Sequence, residues 1–233
     1  VFINCVVLWA RAPAQMAHDG TGMLWSPRTN AELYGDPASI LLYHRLGVNI
    51  GLGTDWTASG SVNMMRELAC ADQLNRTQFG ADFTDREIYD MATINNARAF
   101  KVDAVVGSLE PGKVADVAVF HTTRHPDLRA AIDGSPMDVA LVLRGGAPLY
   151  GDVHLVPGIP GGATGCEVLD VCGAEKRVCA QRETGKTLAQ LQPTGAYGLF
   201  FCEPPADEPS CVPFRPGEYD GAAIAGDADG DGI

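Results

Sequence analysis

The apolar stretch 46–52, continued as Gly51-Leu52-Gly53-Thr54-Asp55-Trp56, is the feature that most narrows the folds open to this chain. A short apolar run bounded by glycines reads as a strand buried on both faces, and strands of that kind belong to parallel α/β sheets. The run delivers a single carboxylate, Asp55, to the start of a Ser/Gly-rich loop. In a closed barrel of such strands, functional side chains stand at the carboxyl ends, which makes Asp55 a candidate catalytic acid. The alternative is that Asp55 caps the helix that follows.

The preceding segments repeat the alternation. Residues 1–8 are apolar and β-branched and predict a strand, 14–19 predict a helix with Met16 and Ala17 inward, and 22–26 a second strand. After a Ser-Pro-Arg-Thr-Asn turn at 26–30, residues 37–46 set Ile40, Leu41, Tyr43 and Leu46 at helical spacing, with Gly47 as the stop. Strand 48–54 completes the order strand, helix, strand, helix, strand, with the short connections of β/α repeats. Ser61 is a candidate cap for a helix reaching Gln78, with Met64, Leu68 and Ala71 on one face and Arg66, Asp72 and Arg76 elsewhere. Thr84-Asp85-Arg86-Glu87 is a capping box for a further helix carrying Ile88, Met91 and Ala92.

From Gly107 the period changes to that of strands. Residues 115–120 and 138–143 read as strands, and Gly145-Gly146 offers a hairpin turn into Pro148-Leu149-Tyr150. Residues 157–162, rich in Gly and Pro, predict a linker. Beyond it, five of the seven cysteines (Cys166, Cys172, Cys179, Cys202 and Cys211) crowd into a stretch rich in Gly and Pro. Without a C-x-x-C pair or a His in that stretch, disulfides are favoured over a zinc knuckle. The odd count leaves one thiol, for which a partner outside the chain stays open. Cys5 and Cys70 read as small buried hydrophobes.

The chain closes on Asp227-Ala228-Asp229-Gly230-Asp231-Gly232, where Asp227, Asp229 and Asp231 have the spacing that opens an acidic calcium loop. Its later ligands would follow Ile233, and a solvated acidic tail is the equal alternative. Eight acidic residues against one Arg from Glu203 onward account for most of the net charge of −12. That balance argues against nucleic acid as a partner, since phosphate binding needs Lys and Arg. No apolar run approaches the roughly 20 residues of a membrane span. The opening residues lack Met and a basic region, so the chain is expected to be cut from a longer one. With 233 residues and 46% hydrophobic content, a sizeable core is within reach.

Trp25-Ser26-Pro27-Arg28-Thr29-Asn30, Leu33-Tyr34-Gly35, Gly53-Thr54-Asp55-Trp56, Ser59-Gly60-Ser61 and Glu67-Leu68 resemble, in this order, the last barrel strands of a metal-dependent amidohydrolase. Asn95-Asn96-Ala97-Arg98-Ala99 and the run from Gly107 to Asp116 resemble the segment where that superfamily leaves its barrel for a small β-domain. The resemblance covers residues 1–155 and is closest to the deaminase and chlorohydrolase-like branch. It implies an α/β fold: the carboxyl-terminal portion of a (β/α)8 TIM-type barrel (1–106), part of a small β-sandwich domain (107–156), a Cys-rich extension (157–219) and an acidic calcium-repeat-like tail (220–233). The edges of such a half β-domain would be unpaired and association-prone, which allows a homo-oligomer.

The resemblance also implies a chemistry, the metal-dependent hydrolysis of carbon–nitrogen bonds other than peptide bonds in a small-molecule substrate. The divalent metal is commonly zinc, which makes a hydroxide available at neutral pH while a nearby carboxylate relays the proton. Asp55 would be both metal ligand and proton shuttle. Asn4 stands where the family usually has a metal-binding His, and an amide oxygen coordinates zinc less well than imidazole. His18 and His44 fall on expected helices, and His121, His125 and His154 in or after the β-unit, so none is expected to replace it. Arg28, Asn30, Trp56 and Ser59 are candidate substrate contacts, although Asn30 is also an ordinary turn residue and Trp56 could simply pack on the rim.

Without the earlier strands and their histidines, the chain alone is expected to be inactive, its partner being the remainder of its own polypeptide. Two rival readings are a ligand-binding pseudoenzyme with an altered metal site, and an adhesion or scaffold protein built on calcium repeats. The Cys cluster and calcium-like tail point to a secreted, periplasmic or cell-surface location.

Overall fold

Met23–Trp25 (β2) lies between Phe2–Ile3 (β1) and Ile50–Leu52 (β3), and both pairings are parallel. Parallel neighbours need a crossover, and helices supply it: Arg11–His18 (α1) between β1 and β2, then Pro27–Tyr34 (α2) and Ile40–Arg45 (α3) between β2 and β3. Met64–Thr77 (α4), Asp85–Ala92 (α5) and Ile94–Ala99 (α6) follow. This computed structural model describes residues 1–6, 8–9, 11–56, 58–162, 164–191 and 200–214. The calcium-like residues Asp227, Asp229 and Asp231 lie outside them. The described chain divides into two compact units, one of Val1–Ser108 with the segment 207–214, the other of Leu109–Ala206.

The sheet of the first unit has one edge closed by side chains. Asn49 accepts from Met23 N and Gly53 donates to Trp25 O, both at 2.9 Å, so alternation turns the carbonyls of Ile50 and Leu52 away from β2. Those two carbonyls accept from the amides of Asn95 (3.0 Å) and Asn96 (2.8 Å), and the Asn49 amide donates in return to Asn95 O at 2.9 Å. Two consecutive residues at the start of α6 thus do the work of a neighbouring strand. The approach is so close that a Cβ on Gly51 would stand 2.1 Å from Asn96 Oδ1.

Several elements depart from the sequence reading, each for a local reason. The strand expected over 1–8 shrinks to Phe2–Ile3, because Asn4 and Cys5 take left-handed backbone angles (φ 65° and 50°) that end extended structure. The expected turn at 26–30 is the first turn of α2: Pro27 suits the first helical position, and Gly35 ends the helix at φ 64°. Asn63, rather than Ser61, caps α4, its side chain accepting from Arg66 N at 3.0 Å. Asp72, expected away from the apolar face, is buried and ion-paired with Arg76 at 2.8 Å. The capping box of α5 forms as read, with Thr84 and Glu87 bonding reciprocally.

In the second unit, Val117–Phe120 (β4), Val139–Arg144 (β5), Ala147–Asp152 (β6), Glu167–Val171 (β7) and Ala174–Val178 (β8) make an antiparallel sheet in the order β4-β5-β6-β8-β7. Pairing therefore runs across the linker expected at 157–162, and β8 covers the edge of β6 that the sequence reading left unpaired. Lys176 on β8 is buried and bonds Asp152 (2.5 Å) and Val139 O (2.9 Å), while His121 meets the other Asp152 oxygen at 2.7 Å. Burial alone would raise the Asp152 carboxyl, but hydrogen bonds and charge from Lys176 and His121 outweigh it and hold the group below its ordinary value.

Three disulfides form: Cys166–Cys179 and Cys172–Cys202 within the second unit, and Cys70–Cys211 within the first. Cys70 is therefore not a mere buried hydrophobe. It is the partner of the odd cysteine, which needs none from outside the chain. Cys5 is the free thiol of the described residues, and burial raises its ordinary value.

Replacing Asn96 by Ala leaves the Leu52 carbonyl without its donor. Chemical denaturation is expected to show about 1–3 kcal/mol lost, as a lower midpoint with unchanged slope; an unchanged midpoint would mean that this edge is satisfied some other way.

Candidate active site

Asn4 directly follows β1, and Asp55 stands three residues past β3, at the same carboxyl end of the parallel sheet. Their side chains meet: the Asn4 amide donates to Asp55 Oδ2 at 3.2 Å. Both residues hold left-handed backbone angles, 65° for Asn4 and 53° for Asp55, a conformation that Asn and Asp tolerate better than most. It turns the chain sharply as the strand ends. Asp55 is exposed, and α4 begins only at Met64 with Asn63 as its cap, so Asp55 does not cap that helix. Asn30 Nδ2 reaches the Asn4 carbonyl at 3.4 Å, which joins α2 to the same cluster. The Oδ1 atoms of Asn4 and Asn30 are buried with no hydrogen-bond partner among the described residues.

The other expected substrate contacts sit differently. Trp56 is 63% exposed beside Asp55. Ser59 is buried, and its hydroxyl lies 3.3 Å from Thr29 Oγ1. Arg28, expected as a clamp for an anionic group, is only 4% exposed, and its guanidinium is already engaged. Its Nε donates to Ser61 Oγ at 2.6 Å, its Nη1 to Pro209 O, and its Nη2 to Arg66 O at 3.5 Å, with Glu208 at 3.4 Å. Arg28 and Ser59 thus belong to the support beneath the loop that carries Asp55. The histidines lie elsewhere: His18 pairs with its neighbour Asp19, and His44 bridges Asp82 and Glu87.

The sequence reading assigned no role to Glu67 or Glu208. Glu67 is fully buried and accepts Arg28 N at 3.2 Å. A carboxylate within the apolar stripe of Met64, Leu68 and Ala71 was the available signal. Glu208 has no local signal, because its partners lie more than a hundred residues away in sequence.

Residues 36–149 match the family model described as "Amidohydrolase family". This segment is an amidohydrolase segment. A 5-methylthioadenosine/S-adenosylhomocysteine deaminase of Symbiobacterium thermophilum is 32% identical over 165 residues, covering 65% of this chain and 37% of the relative. Among solved structures, guanine deaminase of E. coli is similar with a TM-score of 0.56 at 21% identity, over 64% of this chain and 38% of that one. A mutant atrazine chlorohydrolase of Arthrobacter aurescens TC1, complexed with zinc and atraton, has a TM-score of 0.54 at 25% identity, over 63% of this chain and 35% of that one. The chain spans well under half the length of each.

A zinc site draws on imidazole, thiolate and carboxylate, usually four donors or three with water. Among the described residues no group of three His, Cys, Asp or Glu side chains is placed to hold a metal ion, and the Asp55 carboxylate accepts a hydrogen bond from the Asn4 amide. The described residues therefore do not by themselves compose a zinc site.

Burial lifts the Glu67 carboxyl to about 7, against hydrogen bonds from Ser61 and Arg28 and the Arg28 charge. The folded value lies above that of an unfolded chain, about 4.3, so the native state holds this proton more tightly. Its contribution to stability is then complete at acid pH and is lost as pH rises toward and through the folded value, about 4 kcal/mol in all. Glu67→Gln cannot ionise and is expected to flatten that decline in urea midpoints taken on either side of the window. An equally steep decline in the variant would remove Glu67 as its source.

Proposed function

We propose that this chain is the carboxyl-terminal part of a metal-dependent hydrolase of the deaminase type, acting on carbon–nitrogen bonds other than peptide bonds. On this reading its three parallel strands are the last three of a (β/α)8 barrel, and its antiparallel sheet is part of the accompanying β-domain. The observation that carries the reading is the meeting of Asn4 and Asp55 at the carboxyl ends of parallel strands, where barrel enzymes keep their chemistry. Further support comes from the outer side of β1, where Phe2 and Ile3 are 53% and 61% exposed and a preceding strand would pair.

The zinc named for the chlorohydrolase structure fits this reading only if its other donors come from outside the described residues. What Asp55 itself contributes is a carboxylate that takes a proton from water and returns it to the leaving nitrogen, oriented by the Asn4 amide. The substrate class best supported is a small heterocycle bearing an exocyclic amino group, as the names of the deaminase relatives suggest. Three disulfides support an oxidising compartment, such as the periplasm or the cell exterior.

A second reading has one observation in its favour. The Asn4 amide occupies the carboxylate that a metal would need, as a ligand-binding pseudoenzyme with an altered site would have it. Full-length protein separates the two when ammonia release from amino-purine nucleosides is measured. The enzyme reading predicts turnover that falls by about 10²–10⁴-fold in Asp55→Asn. The pseudoenzyme reading predicts none in the native protein, with turnover emerging in Asn4→His.

A further inference from the structure

The segment Asp207–Phe214 lies far along the chain from the barrel-type strands, yet it belongs to their unit. It is fixed there three times: Cys211 is bonded to Cys70 of α4, Glu208 is paired with two arginines, and Pro209 O accepts from Arg28. Glu208 is only 4% exposed at its side chain, and Arg66 grips it with Nη2 at 2.5 Å and Nε at 3.1 Å from each oxygen. A carboxylate so deeply buried costs several kcal/mol unless it is paired, so this contact is specific.

The two arginines lead to the Asp55 loop. Arg28 carries the contact from Glu208 to Ser61 Oγ at 2.6 Å, and Ser61 ends the loop that Asp55 begins. The adjoining residue of α2, Thr29, meets Ser59 in the same loop. Within the loop, Ser59 N and Gly60 N both donate to Trp56 O, at 3.0 and 2.6 Å. A Cβ on Gly60 would lie 1.8 Å from Thr54 O, so the loop closes directly on the residue before Asp55. The links from Glu208 through Arg28 to Ser61 are thus direct contacts between buried or half-buried groups.

We infer that Glu208 is a positioning residue for the Asp55 loop, acting through Arg28 and Ser61 as a strap that the Cys70–Cys211 disulfide holds in place. Glu208 touches no reacting atom. Its carboxylate fixes the Arg28 guanidinium, which would otherwise bury a charge with no counter-charge within reach but Glu67. Arg28 in turn fixes the end of the loop. The inference adds a control element to the site proposed above and rests on that site only for its consequence, not for its test.

Amide hydrogen exchange followed by mass spectrometry on the full-length protein tests it. Glu208→Gln is expected to speed exchange in the peptide covering residues 54–61 by about tenfold or more, with β2 and β3 unchanged. Glu208→Asp, which keeps the charge, should restore most of the protection, and selective loss of the disulfide in Cys211→Ser should loosen the same peptide. Ser61→Ala cuts the link next to the loop, so adding Glu208→Gln to it should change the loop little further. If Glu208→Gln destabilises the whole unit, the Ser61→Ala and Cys211→Ser comparison decides alone. The inference is overturned if the loop keeps its protection when the strap is loosened, or if the two effects simply add. Neither result bears on turnover, so a catalytically silent Asp55→Asn would remove the functional proposal and leave this one standing.

Discussion

The outer edge of β3 must satisfy its backbone without a strand beside it, and the first unit is arranged around that requirement. Unpaired carbonyls of Ile50 and Leu52 would each cost a hydrogen bond in a buried setting. Asn95 and Asn96 supply the donors, and Gly51 supplies the room for α6 to come so near. With β3 held on one side by β2 and on the other by α6, the strand end is fixed in register, and Asp55 emerges opposite Asn4. A second set of buried polar contacts, centred on Arg28, holds the loop that follows. The first set places the carboxylate, and the second fixes the chain beyond it.

Much of this was legible in the chain itself. Apart from α2 and α6, the order of strands and helices through α5 follows from apolar spacing and from the Thr84 capping box, which are local signals. The Asp55 position was legible for the same reason, since glycines bound its strand. What could not be read locally was decided by contacts distant in sequence or by single backbone angles. Left-handed angles at Asn4 and Cys5 cut the first strand short, and Pro27 opened a helix where a turn was expected. Cys70 looked like a core residue because its partner lies 141 residues away. Arg28 looked like a ligand clamp because nothing near it in sequence announces Glu208. The Cys-rich stretch seemed a separate module, yet β8 pairs with β6, as an exposed sheet edge favours.

The placement of Asp55 and the shortage of donors around it belong to one account. An amidohydrolase segment spans residues 36–149, and the relatives it resembles are more than twice as long as the region matched. The chain brings one carboxylate and one amide to the ends of parallel strands, and His18, His44 and His121 are hydrogen-bonded elsewhere. A metal centre built on Asp55 therefore needs donors from beyond the described residues.

Zinc content tests that claim most directly. The 233-residue chain, dialysed against zinc and analysed by elemental mass spectrometry, is predicted to retain no zinc that depends on Asp55, whereas full-length protein retains a zinc that Asp55→Ala removes. Stoichiometric zinc on the short chain, lost in its own Asp55→Ala variant, would contradict the account.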